Sequence, residues 1–153
     1  MCIRDSGSGT ASYTFSSIPS TYTDLVLICT GSAASGMQLQ LNGDTATNYS
    51  GTGLFGNGSA ASSSNTTSKA YLAIDGGSGA TNAYIPYIVN INNYANTTTY
   101  KTVLARFNLT TTYMGALVAL WRSTAAINSI KVYPNTGNLT DQTTLTLYGI
   151  TAA

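Results

Sequence analysis

The sequence predicts an all-β fold, an antiparallel β-sandwich of the jelly-roll type with about eight or nine strands. Two observations carry this prediction. Apolar residues recur with a period of two in many short segments, and turn-forming residues separate those segments. The composition agrees, because Ser, Thr, Asn, Gly and Tyr are abundant whereas Glu, which surface helices normally carry, is absent. We expect one domain over residues 7–153, a length sufficient for an unaided core.

The first half of the chain predicts three strands, a long loop and a short strand. Residues 13–16 alternate between aromatic and hydroxyl side chains, and the continuous apolar run at 25–29 is typical of a central strand. Residues 37–41 alternate most clearly and predict one wet, amide-rich face. From 42 to 69 the chain is rich in Gly, Ser, Asn and Thr, which predicts a long surface loop. Residues 71–75 return as a short strand.

The second half predicts five more strands. Residues 85–91 alternate, and Pro86 near their start favours an edge position. Residues 103–109 alternate too, and the last strand lies around Leu145 and Leu147. Residues 114–134 hold two apolar runs joined by a short polar segment and predict a β-hairpin that contains the only tryptophan, Trp121.

The first arm of this hairpin has two apolar faces. Leu117, Ala119 and Trp121 fall on one face, and the residues between them are also apolar. We therefore expect both faces to be covered, and we expect part of that surface to be buried by identical subunits.

The opening residues 1–6, MCIRDS, resemble the translation of a transposon end used in preparing sequencing libraries. We expect this leader to be adapter-derived or disordered and to pack against nothing. Cys29 then stands alone in an apolar run, where a buried small hydrophobe is expected rather than a nucleophile or a disulfide partner.

Charge and composition exclude several classes of partner. Six basic and five acidic residues give a net charge of +1, and the basic residues are scattered singly. No electrostatic footprint for nucleic acid or an anionic membrane results. No apolar run has the roughly 18 residues that a membrane-spanning segment needs.

The chain offers few groups for acid–base chemistry. His and Glu are absent, which leaves, outside the leader with its Asp5, four aspartates: Asp24, Asp44, Asp75 and Asp141. Each lies beside a turn, where Asp usually hydrogen-bonds its own backbone. No Gly-x-Ser-x-Gly elbow is present. We expect no enzyme, no catalytic residues and no cofactor.

The best polar cluster is Asn42, Asp44, Asn48 and Tyr49, which joins a carboxylate, amides and an aromatic ring at the mouth of the predicted loop. Such sets bind sugars, and their oxygens, like that of Asp75, are also suited to Ca²⁺, an alternative that the sequence leaves open without assigning a metal site. The competing interpretation is a turn that begins the loop.

Five separated segments carry a resemblance: YTFSSIPSTYTDLVL, LQLNGDTATNYS, NNYANTTTYKT, LWRSTAAINSI and LTLYGITAA. In this order they resemble a family of small proteins encoded with the virion structural genes of tailed bacteriophages, over nearly the whole chain from Tyr13. The resemblance implies a virion component such as a tail fibre or appendage module or a head decoration, located in the virion. It also implies other virion proteins as partners and a homo-oligomer, with a trimer as the usual fibre arrangement.

A secreted, extracellular carbohydrate-binding module without catalytic activity is the alternative. It would have the same composition but would present coplanar aromatic residues on one wet face. Tyr133, beside Lys131, and Tyr148 keep this alternative open. A cell-surface glycan is the ligand that we expect for a virion module, and a soluble polysaccharide is the ligand expected for a secreted module.

Overall fold

The computed structural model describes residues 2–7, 9–31, 36–74, 85–109 and 113–152, which contain twelve β-strands and no helix. No segment of these ranges is therefore a helix suited to crossing a membrane. The strands are β1 (Cys2–Gly7), β2 (Tyr13–Phe15), β3 (Asp24–Gly31), β4 (Met37–Leu41), β5 (Tyr49–Gly56), β6 (Ala61–Lys69), β7 (Leu72–Ala73), β8 (Ile85–Ile91), β9 (Lys101–Leu109), β10 (Tyr113–Trp121), β11 (Ile130–Pro134) and β12 (Thr143–Ile150).

The strands form two antiparallel sheets. The larger sheet has eight strands in the order β1-β12-β3-β8-β9-β10-β5-β6, and the smaller has four in the order β2-β11-β4-β7. The predicted all-β sandwich is confirmed. The described residues hold more strands than the eight or nine expected, because the predicted loop and the leader contribute strands of their own.

The core lies between the facing surfaces of the two sheets. In β3, Leu25, Leu27 and Cys29 are fully buried, as the period-two pattern requires, and Leu27 lies opposite Leu147 on one side and Val89 on the other. In the smaller sheet Ile130 pairs with Leu41, and both are fully buried. The prediction that residues 25–29 form a central strand is therefore correct.

The predicted tryptophan hairpin is wrong. β10 lies between β9 and β5 in the larger sheet, whereas β11 lies between β2 and β4 in the smaller one. Residues 122–129 therefore cross from one layer to the other, a step of roughly 10 Å between packed sheets. A short polar segment between two strands indicates a change of direction, but it does not determine whether the chain stays in the same sheet.

The predicted surface loop at 42–69 is also wrong. Residues in this range form the β5–β6 hairpin at one edge of the larger sheet, with a bulge between Tyr49 and Gly51. Every side chain of β6 is exposed. The hydroxyl-rich composition suits such a strand, because backbone hydrogen bonds to β5 hold it in place and no second layer has to be matched by apolar side chains.

Pro86 does not mark an edge strand. β8 lies inside the sheet between β3 and β9, and Pro86 is its second residue, opposite Thr30. At this position, close to the start of a strand, the missing N–H of proline is tolerated.

The expectation that the leader packs against nothing is wrong, because its backbone pairs with β12. The backbone of Cys2–Gly7 pairs with β12 from Cys2 opposite Tyr148 to Gly7 opposite Thr143. An edge strand can pair with an extended segment of almost any composition, because the contacts are made by backbone groups.

Deleting residues 1–6 should change the melting temperature by less than about 4 °C, which is roughly 1 kcal/mol at this size. The net contribution of each backbone hydrogen bond is small and is offset by the entropy lost in ordering six residues. Differential scanning calorimetry of the full and shortened chains measures the difference. A larger drop would show that β1 is an integral strand of the domain.

Candidate functional site

The polar cluster predicted from the sequence forms around the turn that follows β4. Asn42 and Gly43 have φ angles of 53° and 66°, so the chain reverses tightly in a left-handed conformation that Asn and Gly tolerate best. The turn directs Asp44 toward the end of β10. One carboxylate oxygen, Oδ2, accepts hydrogen bonds from Trp121 Nε1 at 2.7 Å and from Asn48 Nδ2 at 2.9 Å. The other, Oδ1, accepts one from the backbone N–H of Ala46 at 2.9 Å.

Tyr49 lies beneath this turn and is fully buried. Its hydroxyl oxygen accepts a hydrogen bond from the N–H of Leu41 at 3.0 Å and lies 3.1 Å from the carbonyl oxygen of Asp44, to which it donates. The ring is stacked with that of Trp121, with 6.3 Å between centroids and an interplanar angle of 15°. Burial raises the pKa of Tyr49 to about 12, so the phenol stays neutral. Its hydrogen bonds connect β5 to the end of β4 and to the turn that follows.

Asn42 fastens the segment that crosses between the sheets. Its Nδ2 donates to the carbonyl oxygen of Ala126 at 2.8 Å, and its Oδ1 accepts from the backbone N–H groups of Asn128 and Ser129 at 2.8 and 3.2 Å. Both polar groups of the side chain therefore bond within the chain.

The structure thus brings together all four predicted residues, Asn42, Asp44, Asn48 and Tyr49, and adds Trp121. Hydrogen bonds inside the chain engage the polar groups described above. This geometry is that of a turn stabilised by internal hydrogen bonds, which favours the interpretation of the cluster as a structural turn. Contact of these four residues with a ligand stays a prediction.

The carboxylate of Asp44 has a perturbed pKa. Burial alone would raise it, but the hydrogen bonds from Asn48, Trp121 and the Ala46 N–H outweigh burial and hold the pKa below its ordinary value. A depressed folded-state pKa stabilises the fold above the unfolded-state value near pH 4, and this contribution is lost as the pH falls through the folded pKa.

Replacing Asp44 by Asn should destabilise the fold above pH 4 by about 0.5 to 1.5 kcal/mol, because the new amide N–H₂ faces the N–H of Ala46 and loses that hydrogen bond, while water reaches this partly exposed site. The acid-induced shift of Trp121 fluorescence below pH 4 should be weaker in this variant than in the native chain. Urea unfolding at several pH values measures both effects. The exposed Asp141→Asn is the control, and an equal effect of both substitutions would contradict the role of Asp44.

A groove that the sequence did not indicate lies on the outer side of the β5–β6 hairpin. It has a volume of about 290 Å³, close to the lower limit for small-ligand sites. Its lining residues come from β5, β6, β9 and β10: Ser50, Gly51, Thr52, Asn65, Thr66, Thr67, Thr102, Val118, Ala119 and Leu120. Hydroxyl and amide groups thus surround an aliphatic floor, and the lining contains no charged side chain. The individual residues are common in this chain, so only the folded sheet reveals the groove.

Tyr133 and Tyr148, the two tyrosines that supported the alternative of a carbohydrate-binding module, lie in different sheets. Tyr133 belongs to β11 in the smaller sheet, whereas Tyr148 belongs to β12 in the larger one. They do not share a face. The ammonium group of Lys131 lies 5.0 Å from the centroid of the Tyr133 ring, on the surface that a sugar would otherwise stack against.

Three other polar or reactive side chains of the described ranges are buried or hydrogen-bonded within the fold. Asp24 accepts a hydrogen bond from the N–H of Asn93 at 2.7 Å. Cys29 is buried, which raises the pKa of its thiol to about 12. Lys101 is buried, and its ammonium donates to the carbonyl oxygens of Thr99 and Thr124 at 2.9 and 3.2 Å. Asp75 lies outside the described residues, and within them no three His, Cys, Asp or Glu side chains are placed to hold a metal ion.

Comparisons with known proteins leave the site to be interpreted from its geometry. No protein-family model and no curated protein matches the chain. Among solved structures, the chain is similar to an alginate lyase determined in complex with an alginate tetrasaccharide. The identity is 10% and the TM-score is 0.32, over 99% of this chain and 81% of the lyase chain. A similarity at this level carries no argument about function.

Proposed function

We propose that this chain is a structural component of a tailed-bacteriophage virion, a fibre or appendage module that contacts the host surface through the groove beside the β5–β6 hairpin. The resemblance of five separated segments supports the virion assignment. The observation that carries the contact role is the groove itself, which places hydroxyl and amide groups on a rigid sheet at its exposed edge.

The chemistry of the groove suggests a neutral glycan as its ligand. Hydroxyl and amide groups of Thr52, Asn65 and Thr67 match the hydrogen-bonding groups of a sugar, and the side chains of Val118 and Leu120 offer an apolar surface for its C–H groups. A lining without charge does not select an acidic sugar. In this proposal the chain binds without catalysis and needs no cofactor.

A secreted carbohydrate-binding module is the second candidate, because the same groove would serve it. The two functions differ in assembly. A virion module works as part of a homo-oligomer with other virion proteins around it, whereas a stand-alone module works as a monomer that binds soluble polysaccharide.

Asn65→Ala should lower glycan affinity about five- to tenfold, the usual effect of removing one hydrogen-bonding side chain from a binding site. Ser63→Ala is the matched control, because Ser63 lies on the same strand but does not line the groove. A glycan array and labelled bacterial cells measure binding, and light scattering on the same sample measures mass.

An oligomer that adheres to bacterial surfaces, and adheres less after Asn65→Ala, supports the proposal. A strict monomer that binds a soluble polysaccharide favours the secreted module instead. A native chain that binds neither cells nor glycans contradicts both functions, and equal binding by Asn65→Ala and the native chain contradicts the groove as the site.

A further inference from the structure

The outer face of the larger sheet, the surface turned away from the smaller sheet, collects nearly all the exposed large hydrophobic residues of the described ranges. Eight such residues are exposed, and only Tyr100 lies elsewhere. The other seven point outward from strands of this sheet, with exposed fractions from 36% for Ile28 to 65% for Met114. We name these seven the outer patch: Ile28, Leu54, Leu104, Met114, Val118, Tyr148 and Ile150.

The strand register places five of the seven residues in two neighbouring rows, and Ile150 and Met114 lie two residues beyond these rows along β12 and β10. One row of directly opposed residues runs across five strands through Tyr148, Val26, Asn90, Leu104 and Val118. The neighbouring row, two residues along each strand, runs through Ile28, Ile88, Arg106, Ala116 and Leu54. Val26 and Ile88 are half-buried, so they fill the gaps between the exposed side chains. Neighbouring residues within a row are in contact distance in an antiparallel sheet.

The area of the outer patch matches one side of a stable protein–protein interface. The exposed fractions of its members together equal about three and a half fully exposed large side chains, or roughly 700 Å² at about 200 Å² for each. The largest apolar patch on a typical monomer covers about 300 to 600 Å². One partner in a standard interface contributes about 800 Å².

We propose that two copies of this chain associate through their outer patches. Arg106 is the single charged residue within the two rows, so they lack the cluster of charges that would recognise a strongly charged partner. A copy of the same apolar surface is a suitable partner. Because the described residues present one such patch, the contact is between identical surfaces and closes with two-fold symmetry, whereas a trimer needs two different complementary surfaces. The inference goes beyond the proposed host contact. The two share Val118, so a dimer through the outer patches covers that part of the groove floor.

Leu104→Lys tests the interface, because Leu104 lies within the patch and outside the groove. Sedimentation equilibrium of the native chain should give twice the chain mass of 15.9 kDa. The substitution should raise the dimer dissociation constant at least about tenfold, since it places a charge in the desolvated contact. Thr14→Lys, at an exposed position of β2 in the smaller sheet, should leave the dimer unchanged. Circular dichroism confirms that each variant is folded, and Leu104→Thr repeats the test without adding a charge.

Arg106→Met distinguishes a second copy from a different partner. In a contact between copies the two guanidinium groups carry the same charge, so their removal should leave the dimer unchanged or tighten it. A native chain that stays monomeric at concentrations well above the micromolar range, or forms a trimer, overturns the proposal. So does a dimer that tolerates both Leu104 substitutions. The monomeric Leu104→Lys variant, in which the groove is open, tests the host contact separately, and its failure to bind any glycan would count against the host-contact proposal alone.

Discussion

Replacing Trp121 by Ala should lower the free energy of unfolding by about 3 to 5 kcal/mol, the usual range for emptying a buried aromatic site. The side chain is 2% exposed, which confirms the burial predicted from the sequence. The substitution removes the stacking partner of Tyr49 and one of the two donors that bond Asp44 Oδ2. It therefore weakens the β4 turn as well as the core.

Trp121→Phe separates these two contributions. Phenylalanine keeps much of the ring volume but lacks the indole N–H. The free energy of unfolding should therefore fall less in Trp121→Phe than in Trp121→Ala. Urea unfolding followed by circular dichroism measures all three chains. A loss below 1 kcal/mol for Trp121→Ala would contradict the central position of this residue, as would an emission maximum of water-exposed indole in the native protein.

Replacing Gly31 by Ala should destabilise the fold by about 3 kcal/mol, at the upper end of the usual range for overpacking. A Cβ atom on Gly31 would lie 2.5 Å from Thr143 Oγ1 and 2.8 Å from Thr143 Cα. The second contact is with backbone, so rotation of a side chain cannot relieve it. The end of β3 and the start of β12 would have to separate, although both positions are buried.

Thr30→Ala is the matched control for Gly31→Ala. Thr30 is the preceding residue of β3 and is exposed, so its substitution should change stability by less than 0.5 kcal/mol. Thermal unfolding of both variants measures the difference. Equal stability of Gly31→Ala and Thr30→Ala would contradict this prediction, because it would show that β3 and β12 can move apart at Gly31 without loss of packing.

Alternation along the sequence predicted most of the larger sheet's core strands, because the inner face of each strand must be apolar whereas the outer face need not be. The same rule failed for β6, whose side chains are all exposed. A strand held by backbone pairing alone needs no alternation of apolar and polar residues, so the sequence does not reveal it. It also failed to assign β10 and β11 to different sheets. Period-two patterns tell which residues point inward, but they do not tell which strand lies alongside.

The candidate site was predictable only where it is local. The turn residues Asn42, Asp44 and Asn48 lie within a few positions of one another, and their type indicated a polar cluster. The bond between Asp44 and Trp121 spans 77 positions, and no local pattern connects the two residues. The groove was missed for the same reason, because its hydroxyl groups come from strands that are distant in the sequence.

The position of β3 has a consequence for how the protein is made. β3 lies early in the sequence but pairs with β8 and β12, and β12 is the last of the described strands to be synthesised. β2 likewise cannot pair until β11, its neighbour in the smaller sheet, has been synthesised. Pairings between such distant segments fold slowly, and unpaired strand edges stay open to other chains until the partner arrives. The nascent chain is therefore exposed to aggregation until β12 has been synthesised.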